Sequence, residues 1–156
     1  MLMLLLAGAV LQGGELDQAW VQGIYTGKSP RPVVVSEREA WQQANELALH
    51  TPGAFVVIGG GESMRPLYTP GTILVMQRWS YGMLQRGQTA IYRNHEGKIV
   101  AHVLIAKARD GWRAAGLNNR IHDMEPVLSN NLVGVVIAAF HPLAAGPLPR
   151  LATLTR

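Results

Sequence analysis

Cysteine is absent from the 156 residues, which excludes disulfides, thiolate zinc sites and a thiol nucleophile and leaves the redox compartment open. A side-chain nucleophile must therefore be Ser, Thr or Lys. Lysine is itself scarce, at 3 residues against 11 arginines. The formal charge of +4 is scattered along the chain, with no basic helix, aromatic stacking platform or zinc-finger pattern, so no nucleic-acid partner is expected. Long apolar runs are missing too. Residues 1–12, MLMLLLAGAVLQ, fall short of the roughly 20 needed to span a bilayer and carry no Lys or Arg ahead of them. Ala7 and Ala9 form a small-x-small pattern that can end a signal peptide, although the positive n-region is lacking. A signal, a membrane-dipping tip and a buried first strand all stay open for this run. Internal repeats and low-complexity segments are not seen, and the length suits one domain with a real core.

What is present divides into an extension over 1–32, a β domain over 33–140 and an irregular, Pro-containing tail over 141–156. Ser36-Glu37-Arg38-Glu39 has the spacing of a capping box, so a helix is expected over about 36–50, ended by Thr51-Pro52-Gly53. From residue 54 the pattern changes to short β-branched runs at 54–58, 72–76, 89–92, 99–105 and 132–140, separated by turn residues. That pattern predicts a mainly β, antiparallel domain with one N-terminal helix. Asp110-Gly111 suits a two-residue hairpin turn that sets Arg109 opposite Trp112, and Asn94 to Gly97 offers a turn on the other side of the same strand. The strand carrying His102 is thus expected to be internal to its sheet.

The most informative stretch is Gly59-Gly60-Gly61-Glu62-Ser63-Met64-Arg65-Pro66. Three glycines after a strand let another backbone approach closely, as a loop receiving an extended peptide requires. Read alone, the octapeptide is equally a glycine-rich turn. As a site, it presents Ser63 as nucleophile, with the Ser63 amide and that of Glu62 as donors to a developing oxyanion. Gly60, Gly61, Glu62 and Met64 are then the substrate and oxyanion residues.

A serine hydroxyl needs a neighbouring base. Lys28 precedes the β domain, and Lys98 and Lys107 flank the strand that holds His102. Alternation places Lys98, Val100, His102 and Leu104 on one face. By itself His102 also reads as a core histidine satisfied by a carbonyl. The hairpin register, however, carries it to Asn119 in the polar stretch 116–123, where Asp123 can hold its second nitrogen if the chain turns back. Alone, Asp123 is equally a turn residue. Of the remaining histidines, His95 sits in a predicted turn, His122 beside Asp123, and His50 and His141 at element ends, so a surface role is expected of each, and a His102, His122, Asp123 metal site lacks any helical ligand pair or HExxH motif. No metal and no cofactor are expected.

Gly61-Glu62-Ser63-Met64-Arg65-Pro66 resembles the Ser-Met-x-Pro box of the signal peptidase and SOS-repressor peptidase superfamily, and Gly71-Thr72-Ile73-Leu74-Val75 is similar to the segment that follows it there. Lys98-Ile99-Val100-Ala101-His102 resembles the strand that carries the base, a lysine in bacterial enzymes and repressors and a histidine in the archaeal and endoplasmic-reticulum signal peptidases. Gly116-Leu117-Asn118-Asn119 is similar to the Gly-Asp-Asn-Asn box, and Asp123 falls on the later aspartate of the histidine-type enzymes. The spacings, 39 positions from Ser63 to His102 and 21 from His102 to Asp123, suit that layout. Gly61, Thr72 and Leu117 depart from it, standing where many members have a serine and two aspartates.

The resemblance implies a coiled antiparallel β-sheet of the signal peptidase and SOS-repressor type. It also implies a serine endopeptidase that cleaves an extended peptide or preprotein after small residues, with Ser63, His102 and Asp123 as its catalytic set. The expected setting is exported or membrane-peripheral, with a membrane surface or membrane protein as further partner. Two rivals share the scaffold. One is a self-cleaving, regulatory peptidase, for which Ala7-Gly8 is a suitable dipeptide, and the other is a catalytically silent peptide-binding module.

Overall fold

Ser36 halts an extended segment and starts a helix in one step, because its side chain accepts from the Glu39 amide while Glu39 Oε2 accepts from the Ser36 amide at 3.1 Å. The helix, α1 (Glu37–His50), ends at Thr51, and Gly53 then takes the positive φ of 71° that turns the chain back. Buried Ala40 and Ala44, one turn apart, let α1 lie close against the sheet. The computed structural model describes residues 23–143. The apolar run at 1–12 and the tail from 144 lie outside the described residues.

Among the described residues the sheet has seven strands: β1 (Val33–Ser36), β2 (Ala54–Ile58), β3 (Ile73–Gln77), β4 (Thr89–Arg93), β5 (Ile99–Ala108), β6 (Gly111–Ala115) and β7 (Leu132–Leu143). Their order is β2-β3-β7-β4-β5-β6, antiparallel throughout, with β1 added in parallel beside the end of β7. The long strand β7 is the spine. One edge pairs with β3, while the other pairs first with β4 through Leu132–Val135 and then with β1 from Phe140 onward. Period-two alternation distributes side chains between layers: Ile73 and Val75 of β3 face α1, whereas Leu74 and Met76 face a second cluster with Met64, Tyr68, Ile91 and Val103. A third cluster, including Tyr92, Leu104 and Trp112, fills the space under β4, β5 and β6.

The structure bears out a mainly β chain with one helix and shows three differences of detail. First, Val33-Val34-Val35 forms a strand that the sequence does not announce, because four residues take up an extended path only where the free edge of β7 offers partners. Second, β7 continues three residues past 140, through His141, Pro142 and Leu143, for the same reason. Third, the β5–β6 turn uses Arg109-Asp110 rather than Asp110-Gly111, so Ala108 pairs with Gly111 and Lys107 with Trp112. A bulge at Ile105 then takes up one more residue, giving Val103 opposite Ala115. His102 is consequently level with Gly116, not Asn119. Residues 23–32 pack onto the domain: Ser29 Oγ donates to the Gly87 carbonyl at 2.8 Å, and the Tyr68 hydroxyl donates to the Pro30 carbonyl at 2.8 Å.

Candidate active site

The loop between β2 and β3 is closed at its base by two hydrogen bonds, from the Gly59 amide to the Thr72 carbonyl at 2.8 Å and from the Gly71 amide to the Gly59 carbonyl at 2.7 Å. Within it, residues 62–68 form a tight turn in which Arg65 N donates to Glu62 O and Tyr68 N to Met64 O. Met64 is buried in the second cluster, so the turn is anchored by the residue after the serine. Ser63 itself is half-buried. The turn is also braced from the side: the Asn118 amide donates to the Ser63 carbonyl at 2.8 Å, and Asn118 Nδ2 to the Glu62 carbonyl at 3.2 Å. Gly116 makes this close approach feasible, since a Cβ there would stand 2.6 Å from the Ser63 carbonyl oxygen.

β5 brings the base. It lies between β4 and β6, and the pairs Ala90–His102 and Val103–Ala115 hold the His102 backbone from both sides. His102 is 6 % exposed, and its Nε2 stands 2.9 Å from Ser63 Oγ. Its Nδ1 stands 2.7 Å from Asp123 Oδ2. With the carboxylate ionised, Nδ1 carries the proton and donates to Asp123, which leaves Nε2 as acceptor for the serine hydroxyl. Asp123 arrives because the chain turns back after β6, and its amide donates to the Ala114 carbonyl at 2.8 Å. The bridge between Trp112 and Val127 continues that return.

Three residues named from sequence thus meet as a continuous hydrogen-bonded chain, and the other expectations sort by position. Gly60 and Gly61 line the groove beside Ser63 and leave it open; a Cβ on Gly61 would have nothing nearer than Ser63 Oγ, at 4.0 Å. Glu62 turns its carboxylate outward to an ion pair with Arg65, so only its backbone faces the site. Met64 forms part of the groove wall. Lys98 Nζ is exposed and held by Glu96 at 2.6 Å, and Lys107 is exposed on β5, so neither lysine reaches Ser63. His122 is buried, and its Nδ1 lies 2.8 Å from the Asp123 carbonyl. Among the described residues no cluster of three metal-ligating side chains occurs.

Sequence reasoning missed Tyr92. Its buried hydroxyl donates to Asp123 Oδ2, the same oxygen that faces His102 Nδ1. Burial first, and the neighbouring Asp123 charge second, push the phenol far above the usual tyrosine range, so it stays a donor at any working pH. The signal was available: the Asn94–Gly97 turn implies pairing of Tyr92 with Val100 and Ala90 with His102, which puts Tyr92 and His102 on one face. The groove along Ser63 encloses about 520 Å³ between the end of β2, the glycine loop and the start of β5, with apolar walls that include Val57, Leu74, Ile91 and Ala101. Among the described residues β2 is the last strand of the sheet, and its outer edge has no partner strand there. No protein-family model matches the sequence, and no curated protein matches it either.

Proposed function

We propose that the chain is a serine endopeptidase of signal peptidase type with a histidine base. The observation that carries this reading is the unbroken chain from Ser63 Oγ through the His102 imidazole to Asp123. An extended peptide adds to the open edge of β2 and lays its small residues in the groove beside Gly60 and Gly61. Ser63 Oγ attacks the scissile carbonyl while His102 Nε2 takes the hydroxyl proton. The oxyanion collects donors from the backbone around Ser63, and Asp123 stabilises the imidazolium. His102 then passes the proton to the leaving amine as the C–N bond breaks. Water repeats the sequence on the acyl-enzyme and frees Ser63. A peptide or preprotein is the substrate, and the signal peptidase and SOS-repressor sheet is the fold this reading assigns.

The test is chemical labelling. A fluorophosphonate should modify Ser63 in the parent and leave Ser63→Ala unmodified, as read by intact mass, with the circular dichroism of the two proteins the same. Ser63→Ala should also abolish cleavage of peptides with small residues before the cut. An unlabelled, inactive parent would turn the assignment toward the silent peptide-binding module.

A further inference from the structure

Asp123 Oδ2 accepts from two side chains at once, the imidazole of His102 and the hydroxyl of Tyr92. We propose that Tyr92 is a positioning residue that sets the basicity of His102 by sharing the Asp123 carboxylate. The proposal rests on the reading of Ser63, His102 and Asp123 as a catalytic set and adds to it a residue that touches no substrate. Three strands cooperate in the arrangement. β6 fixes the Asp123 backbone through the Ala114 carbonyl, β5 carries His102, and β4 carries Tyr92 diagonally opposite His102 on the same face. Tyr92 is 1 % exposed and its ring belongs to the cluster of Leu104, Trp112 and Val135, so the hydroxyl cannot swing to another partner without leaving that packing. It is a fixed donor aimed at one oxygen.

The direction of the effect follows from charge. A hydrogen bond to a carboxylate spreads its negative charge and weakens its pull on a neighbouring imidazolium. With the Tyr92 donor in place, His102 gives up its proton more readily, which suits the step that protonates the leaving amine. Without it, Asp123 holds the imidazolium more tightly. The other titratable groups around the pair are His122, whose Nδ1 faces the Asp123 carbonyl, and Tyr68, which lines the groove beside His102. On the far side, His95 and Glu125, whose side chains are in contact, border a cavity of about 280 Å³ next to His102 and Asp123. Each of these is common to the parent and to a Tyr92 variant, so the difference between them isolates the hydroxyl.

The experiment is an NMR titration of the full chain with isotope-labelled histidine, the His102 signal being identified by its absence from His102→Ala. In Tyr92→Phe the midpoint of the His102 titration should move to higher pH by about half a unit or more. The acid limb of kcat/KM should move with it. In an Asp123→Asn background the same substitution should produce no shift, because the shared carboxylate is gone. An unchanged or lower midpoint in folded Tyr92→Phe, or an equal shift with Asp123→Asn, would show that Tyr92 only packs. Should Tyr92→Phe fail to fold, replacing the tyrosines by 3-fluorotyrosine keeps the ring and makes the phenol a stronger donor. The midpoint should then move to lower pH, and no movement overturns the proposal. The titration needs no turnover, so a chain that cleaves nothing sinks the peptidase reading while this measurement still decides the role of Tyr92.

Discussion

At the scale of single residues, the choice between a histidine and a lysine base decides the catalytic class. A lysine base has to be kept neutral by burial far below its reference value of about 10.4, whereas an imidazole near 6.5 is already a competent base around neutrality. Lys98 is exposed and its hydrogen bond and charge pairing with Glu96 hold it above the ordinary lysine value, and Lys107 is exposed, so neither is a buried, neutral lysine of that kind. Activity should therefore fall on the acid side as the imidazole protonates, and Lys98→Met and Lys107→Met should retain most of it. His102→Ala should abolish turnover. Asp123→Asn should keep the fold but lose a factor on the order of 10⁴, as aspartates of other Ser-His-Asp sets do, because the amide favours the wrong tautomer. Steady-state kinetics on the purified variants checks all four. Full activity in His102→Ala, or a folded but dead Lys98→Met, would move the chain to the lysine class.

At the scale of elements, the site depends on two turns pressed together, backbone against backbone at Gly116 and Ser63 and tied by the Asn118 side chain. Gly116 is the contact, and the 2.6 Å from its would-be Cβ to the Ser63 carbonyl is shorter than a Cβ tolerates against backbone. Gly116→Ala should push the serine turn outward, costing about 1–3 kcal/mol as an overpacked site does. Thermal unfolding should drop by several degrees. Catalysis should fall by more than the loss of folded protein explains, since Ser63 Oγ is displaced from His102. Activity per folded molecule equal to the parent would show that the two turns are not coupled. The β5–β6 hairpin teaches a related lesson. Its composition announces a turn, yet the residues that occupy the turn and the bulge at Ile105 follow from how β5 fits against β4 and β6 together, which no local dipeptide encodes.

At the scale of the whole molecule, the described residues hold no helix long and apolar enough to cross a membrane. Apolar residues do stand exposed on both rims of the groove, Ile58 on one side and Ile99 on the other. The sequence places a further apolar run at 1–12. An interfacial role for that run predicts that deleting it reduces co-sedimentation with lipid vesicles while the β domain stays folded by circular dichroism. Loss of the fold with lipid binding unchanged would make the run a core strand instead.

The sequence by itself determined the elements whose causes are local. The capping box starts α1 at Glu37, β-branched alternation produces β2 to β5 within a few residues of their observed ends, and the glycine loop delivers Ser63. His102 and Asp123 were singled out by the family resemblance and by a hairpin register that the bulge at Ile105 shifts, and the structure brings both to Ser63. The tertiary structure alone decided what depends on contact between distant segments: β1 on the free edge of β7, the level of His102 against Gly116, the Asn118 brace and the shared carboxylate of Tyr92 and His102. Apart from the common face of Tyr92 and His102, which the Asn94–Gly97 turn implies, these are pairings between segments whose local patterns carry no record of one another. Such pairings are set by which edges and faces remain unfilled once the sheet has formed.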